Sequence, residues 1–343
     1  MTSITPEILV AMAMLTALTA YTLSGGADFG AGVWNLLARG PRASAQREVI
    51  SHAIGPIWEA NHVWLIIVIV LLFTGFPPVF AAIMTALHVP VSLMLGGIVF
   101  RGSAFIFRTY DNSERGKRWW NRVFSVTSLA TPILLGAIIG AIATGKLETR
   151  PDHVGDLYST WISPFPIVVG FFALAIFAFL AAVYLTLETH DPELVDDFRR
   201  KALAAAVIVG ILAYTVYVLA RYDAPIVFQG LNASRWGLPV RVATGLCAIL
   251  TIAMLWFRHF SIARIAAAAQ VTLILWGCAL AQNPYLIPPY MTVQNTAAPT
   301  VTHKLLLGAL AAGSVLLLPS IYYLFHIFKG PEPQSLPSGS DKL

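Results

Sequence analysis

Nine long runs of apolar residues follow one another along the 343-residue chain. Each run has about twenty residues, the length that an α-helix needs to cross the hydrocarbon core of a bilayer. The runs are continuous rather than alternating, which indicates helices and not the strands of a membrane barrel. They lie at about residues 8–37, 50–73, 78–100, 122–144, 162–187, 201–220, 239–257, 262–281 and 304–328. The pattern therefore predicts an all-α integral membrane protein with about nine transmembrane helices.

The segments between these runs are short. The second and third runs are joined only by Thr74, Gly75, Phe76, Pro77 and Pro78, which predicts a tight antiparallel hairpin. No connecting segment is long enough for a soluble domain, so we predict one polytopic membrane domain over residues 1–329. Residues 330–343 are polar and rich in Pro and Ser, and we expect them to form a disordered cytoplasmic tail.

The composition agrees with a membrane protein. Apolar residues make up 57% of the chain and charged residues only 11%. A soluble domain carries charge at roughly a quarter of its positions, because its surface must face water. Disordered chains are poor in apolar residues, so disorder is excluded as well. A soluble enzyme is therefore excluded, and lipid is the expected solvent for most of the surface.

The basic residues predict the orientation of the chain. Lys and Arg number 22 against 17 acidic residues, and most of them follow the odd-numbered runs. Cytoplasmic loops carry such an excess, so we expect the N-terminus outside and the C-terminus in the cytoplasm. In a membrane protein this net charge of +5 is no sign of nucleic-acid binding. No Lys or Arg precedes Arg39, so we expect no cleaved signal peptide.

Two acidic residues lie inside the predicted spans, where ionisable groups are costly and tend to be functional. Asp28 lies in GGADFGAG (residues 25–32), and Glu59 lies in HAIGPIWEANHVWLI (residues 52–66). At a rise of about 1.5 Å per residue, both carboxyls lie roughly 15 Å from the cytoplasmic edge. We therefore expect the two acids to share one buried site near mid-membrane. The glycines around Asp28 also fit simple close packing of helices.

The neighbours of Glu59 leave two interpretations open. Residues at spacings of three and four place these side chains on one helix face: His52, Gly55, Glu59 and His62. Pro56 can kink the helix there, and Trp58 and Asn61 add hydrogen-bonding capacity on the flanking faces. A carboxylate and an imidazole in apolar surroundings favour a proton relay. A structural Glu–His pair that holds helices together is the alternative.

No metal or haem site is predicted. Glu59 and His62 form an E-x-x-H motif, but a di-iron bundle needs a second such motif, which the sequence lacks. There is no C-x-x-C-H motif, and Cys247 and Cys278 lie in apolar runs.

Arg101 closes the third predicted span. We expect Arg108 to be an interfacial anchor and Glu188, after the fifth span, to be solvated.

Three sequence strings carry a resemblance to a known family. GGADFGAG, GPIWEANHVWLI (residues 55–66) and FRGSAFIFR (residues 100–108) resemble, in order and spacing, subunit II of the cytochrome bd-type quinol oxidases. The length and the nine spans match as well, although the specific strings all lie within the first 110 residues. The family often has Asp-Gly in place of Glu59-Ala60, so a carboxylate is retained here.

The resemblance implies an architecture and a partner. It implies two four-helix bundles, at about residues 1–145 and 160–282, and a peripheral ninth helix at about 303–328. The chain would pair with subunit I in a bacterial inner membrane, and that subunit would hold haems b558, b595 and d. The complex would oxidise the quinol pool, reduce O2 to water and take its protons from the cytoplasm. A small single-span accessory subunit and a structural quinone bound to this chain are left open.

The resemblance also assigns roles to residues. It implies proton transfer through Glu59, Asp28 and His62, and a structural-quinone or interface position for Trp58, Asn61 and Arg101. No residue of this chain would be catalytic or bind a metal. A proton-coupled secondary transporter and a pure assembly scaffold remain the alternatives.

Overall fold

The computed structural model describes residues 5–55, 58–111, 113–147 and 158–329. The predicted tail at 330–343 and Pro56 lie outside these ranges. Two short strands, β1 (Tyr285–Ile287) and β2 (Met291–Thr292), pair antiparallel. The helices are α1 (Pro6–Leu23), α2 (Gly25–Leu37), α3 (Ala43–Ile54), α4 (Trp58–Gly75), α5 (Pro77–Ala86), α6 (His88–Tyr110), α7 (Glu114–Thr144), α8 (Pro164–Leu185), α9 (Pro192–Asp223), α10 (Pro225–Ala233), α11 (Gly237–Trp256), α12 (Phe260–Gln282) and α13 (Thr300–Lys329).

The prediction of a nine-span helical membrane protein is confirmed. Nine stretches within the described ranges are long and apolar enough to cross a membrane. They are α1 with α2, then α4, α6, α7, α8, α9, α11, α12 and α13. Helix α13 packs on α1 and α4 and is otherwise exposed, as a peripheral ninth helix would be. The residue bounds of the two bundles stay a prediction.

The first span is interrupted at Ser24, where α1 ends and α2 begins. Hydroxyl groups bond back to carbonyls four residues earlier, at Thr19, Thr22 and Ser24. Such back-bonding weakens the helical ladder and often bends it. The interruption places Asp28 in the first turn of α2, where the positive end of the helix dipole favours a carboxylate.

The second predicted span is divided in the structure, so its predicted bounds were wrong. Helix α3 ends at Ile54, and α4 begins at Trp58. Helix α3 is amphipathic: Gln46, Ile50 and Ile54 are buried, and the opposite face is polar. Because this polar face cannot lie in hydrocarbon, α3 belongs to the membrane edge and the span proper starts with α4.

The predicted tight hairpin between the second and third spans is also wrong. A ten-residue helix, α5, starts at Pro77 and separates α4 from α6. Proline is favoured in the first turn of a helix because its fixed φ fits and its missing N–H is not needed there. The third span is therefore displaced along the chain and runs from His88 to Arg108. Arg101 consequently lies inside the span and not at its end.

The two halves of the chain pack closely through α2 and α8. A Cβ at Gly30 would overlap the backbone carbonyl of Phe177, and a Cβ at Gly26 would lie 2.7 Å from the Phe177 ring. Trp34 Nε1 donates a hydrogen bond of 2.8 Å to the Ala178 carbonyl. Small residues at helix contacts let backbones approach closely in membranes. The expected packing role of these glycines is thus observed.

An ionic cluster joins the same two halves at the ends of these helices. The Arg42 guanidinium contacts Asp197 at 2.8 Å and Glu193 at 3.0 Å. Gln46 donates to Asp197 at 2.7 Å and accepts from Lys201 at 2.7 Å. The hydrogen bond to Asp197 raises the pKa of Arg42 above its ordinary value. The start of α3 is thereby tied to α9.

We expect Gly30→Ala to destabilise the protein by about 1–3 kcal/mol, the usual cost of overpacking a tight contact. The thermal unfolding midpoint of the purified membrane protein measures this. Gly96→Ala on α6 is the matched control, because its Cβ would meet nothing within 4 Å. Equal midpoints for the two variants would contradict the packing role of Gly30.

Candidate functional site

Asp28 is a buried carboxylate in the membrane interior, with 7% of its surface exposed. Asn61 on α4 is also buried, and its Nδ2 donates a hydrogen bond of 2.7 Å to Asp28 Oδ2. This contact places residues 28 and 61 at the same depth, whereas the count from the sequence paired Asp28 with Glu59. An amide donor in a low-dielectric surrounding stabilises the charged form of an acid that water cannot fully solvate.

Arg101 lies behind Asp28 and is fully enclosed, with 2% of its surface exposed. Its Nη2 donates to the backbone carbonyl of Asp28 at 2.9 Å, and its Nε donates to Ser128 Oγ at 3.2 Å. The guanidinium carbon lies 4.6 Å from the ring centre of Phe29 and 5.1 Å from that of Phe124. The charges of Arg101 and Asp28 interact, which offsets part of the cost of burying each of them.

A row of polar residues on one face of α7 continues from Arg101 towards the start of that helix. Asn35 Nδ2 donates to Asn121 Oδ1 at 3.0 Å and to Ser125 Oγ at 3.2 Å. Arg108 donates to the same Asn121 oxygen at 3.2 Å and to Ser51 at 2.9 Å. Arg108 therefore ties helices together, and the expectation of a simple interfacial anchor was wrong. Positions 121, 125 and 128 share the 3.6-residue period, a signal that the sequence did contain.

Glu59 does not share the buried site of Asp28, so that expectation was wrong. Its side chain is exposed on the outer face of α4, and His52 on α3 is exposed as well. Glu59 shares its face with Ile66, Val70 and Phe73, at spacings of seven, four and three residues. Glu59 and Asn61 are only two positions apart, yet one points outwards and the other towards Asp28.

His62 is half-buried among aromatic rings. The ring centroids of Tyr21, Trp58 and Phe29 lie 5.9, 6.0 and 6.1 Å from that of His62. Its Nδ1 is buried and has no hydrogen-bond partner among the described residues. Trp58 packs over Gly102 of α6, where only a glycine leaves room for the indole. Around the circumference of α4, His62 thus lies between the buried face of Asn61 and the exposed face of Glu59.

A cavity of about 210 Å³ opens on the other side of Asp28, between the two halves. Leu23, Ser24, Ala27, Asp28, Ala31, Ala53, Ile54, Asn61, Ala181, Tyr184, Leu185, Glu188 and Arg264 line it. Asp28 on α2 and Asn61 on α4 line it, together with Glu188, which follows the end of α8, and Arg264, near the start of α12. This cavity could not be predicted from the sequence, because its walls come from segments more than 200 residues apart.

The residues that line the cavity do not fit a haem. Haem iron is held by His, Cys, Met or, less often, Tyr side chains, and the lining has only Tyr184 of these. Within the described ranges, no three His, Cys, Asp or Glu side chains lie together as a metal site would require. The sequence expectation that this chain binds no metal stays a prediction.

Comparisons with known proteins identify what the chain is similar to. A family model described as cytochrome bd terminal oxidase subunit II matches residues 6–328. The putative cytochrome bd menaquinol oxidase subunit II of Bacillus subtilis is 22% identical over 323 residues, covering 90% of this chain and 91% of that protein. Subunit 2 of the cytochrome bd-I ubiquinol oxidase of Escherichia coli is 24% identical over 208 residues, covering 59% and 53%. The structure of bd oxidase from Geobacillus thermodenitrificans matches with a TM-score of 0.79 at 24% identity, covering 94% of this chain and 98% of that chain.

We expect Arg101→Met to destabilise the protein by about 3–5 kcal/mol, because it leaves the Asp28 charge buried without its cation. Adding Asp28→Asn should restore part of the loss, since the variant then buries no charge at this point. A double-mutant cycle on thermal unfolding midpoints measures the coupling. Strictly additive losses would show that the two side chains do not depend on each other.

Proposed function

The chain belongs to the cytochrome bd terminal oxidase subunit II family, and we propose that it is the haem-free second subunit of an oxidase that oxidises quinol and reduces O2 to water. The haems, the quinol oxidation site and the catalytic residues belong to subunit I in this proposal. The family membership implies that subunit as the partner. The present chain supports it and supplies a path for protons.

Asp28 is the centre of the proposed proton path. The observation that supports this role is a carboxylate at membrane depth that lines a cavity and accepts a hydrogen bond from Asn61. A carboxylate that only locked helices together would not need to face open space. Asp28 can accept a proton from water in the cavity and release it on the side of α4, while Arg101 and Asn61 hold it in place.

Glu59 receives the proton at the surface where subunit I would bind. A carboxylate that faced lipid at this depth would cost several kcal/mol, so a polar group must cover it. The apolar residues on the same face of α4 fit a protein partner around that polar group. We therefore assign the outer face of α4 to the contact with subunit I, and His62 to the step between Asp28 and Glu59. A structural quinone is the alternative occupant beside Trp58.

The positive-inside rule gives this path its direction. With the N-terminus outside, the ends of α2, α8 and the start of α12 face the cytoplasm. The partner would consume these cytoplasmic protons when it reduces O2. This consumption would contribute to the proton-motive force across a bacterial inner membrane without proton pumping. The same orientation puts the Arg42 cluster and Arg264 at the cytoplasmic surface.

We expect Asp28→Asn and Glu59→Gln each to slow oxygen consumption by on the order of tenfold or more, because each removes a group that binds and releases a proton. The measurement is quinol-driven oxygen consumption and proton uptake by the assembled oxidase. The haem spectra should be unchanged, since the haems lie in the partner. Glu48→Gln is the matched control, because Glu48 is an exposed acid on α3 away from the cavity.

Three results would contradict the proposal in different ways. Normal oxygen consumption and proton uptake in Asp28→Asn would remove Asp28 from the path. Loss of the assembled complex in both acid variants, rather than loss of rate, would indicate a scaffold. Substrate uptake by this chain alone in proteoliposomes would indicate a secondary transporter.

A further inference from the structure

We propose that the cavity between the two halves is the water-filled inlet for protons, and that Glu188 at its mouth collects them from the cytoplasmic surface. This inference rests on the proposed function of Asp28 and adds the residue that precedes it. It gives the second half of the chain, through α8 and α12, a part in the reaction.

The cavity is lined by both small apolar residues and polar residues, as a water-filled inlet would be. Small side chains line it at Ala27, Ala31, Ala53 and Ala181, and they leave space without filling it. Polar groups line it as well. Ser24, Asp28 and Asn61 come from the first span and α4, and Tyr184, Glu188 and Arg264 come from the end of α8 and the start of α12. A water molecule occupies about 30 Å³ of liquid and needs polar partners, so the cavity can hold a short chain of waters.

The polar row on α7 cannot serve as the inlet. It ends at Arg101, whose guanidinium does not release its proton and whose fixed positive charge repels protons that approach. Direct hydrogen bonds from Asn35 to Asn121 and Ser125 also hold the row together, so these amide and hydroxyl groups serve packing between helices. Asp28 must therefore be supplied from its other side, which faces the cavity.

The charges at the mouth suit a collecting acid. Glu188 lines the cavity together with Tyr184, and the Arg264 guanidinium carbon lies 5.2 Å from the centre of the Tyr184 ring. These three groups and Asp28 are the titratable and charged side chains that line the space. An acid at the opening of a low-dielectric cleft raises the local concentration of protons. Each transfer, from hydronium to Glu188 and through water to Asp28, breaks one O–H bond and forms another.

Thiol labelling tests whether the cavity holds water. The complete oxidase with Cys247→Ala and Cys278→Ala in this chain would carry Ala53→Cys, and inverted membrane vesicles would be treated with a membrane-impermeant methanethiosulfonate. We expect labelling of this subunit, as for Ser44→Cys on the exposed side of α3. Ala137→Cys, in the core of α7 with 1% exposed, should remain unlabelled. Labelling of Ser44→Cys without Ala53→Cys would overturn the inlet.

Turnover tests the role of Glu188. We expect Glu188→Gln to lower oxygen consumption at saturating quinol by roughly tenfold, the loss of a local proton reservoir. The rate should recover as the pH is lowered, because direct protonation of the cavity water then replaces collection. Glu188→Asp should keep most of the rate, and Glu48→Gln should keep all of it. A pH-independent loss that Glu188→Asp shares would indicate a purely structural residue and overturn the proposal.

The two proposals fail separately. If Asp28→Asn slows turnover while Glu188→Gln does not and Ala53→Cys is unlabelled, the inlet is wrong and the proton role of Asp28 stands. If Asp28→Asn turns over normally, both proposals fall, because the inlet would lead to a residue that carries no proton. Haem spectra of each variant show that the complex has assembled.

Discussion

The burial of Asp28 and Arg101 is the constraint on which the rest of the first half depends. Each charge alone would be costly in hydrocarbon, and together they persist only because other groups satisfy them. Asn61 of α4 donates to the carboxylate, and Ser128 of α7 accepts from the guanidinium. Helices α2, α4, α6 and α7 are therefore fixed relative to one another by one polar centre, in a medium where apolar contacts alone favour lipid and protein nearly equally.

Close packing around that centre requires small residues where the helices touch. Glycines on α2 bring the backbone of α8 within contact, and Gly102 makes room for the indole of Trp58. Ala27 and Ala31, on either side of Asp28 along α2, are also small, and they line the cavity. The glycines that bring the helices together and the alanines that line the cavity thus alternate within the single string GGADFGAG.

Hydropathy and length were enough to predict the nine spans, because the cost of burying backbone and charge in lipid depends on composition along the chain. Asp28 could be singled out for the same reason. The tight hairpin at Pro77 and the start of the second span near residue 50 were wrong, because an apolar run does not reveal where a helix begins or ends. The exposure of Glu59, the burial of Arg101 and the cavity position of Glu188 depend on which helices become neighbours, and no periodicity within one segment contains that information.

The ion pairs and hydrogen bonds that join Arg42 and Gln46 to α9 limit the movement of α3 relative to the second half. The cavity has one wall on α3 and another on α8, and the start of α3 is bound to α9 of the second half. Because these contacts join the two halves beside the cavity, we expect its width to stay constant. It resembles a fixed pore of molecular size more than a gate that opens first to one side and then to the other. In the proposed inlet, protons would therefore pass without the chain having to change shape for each one.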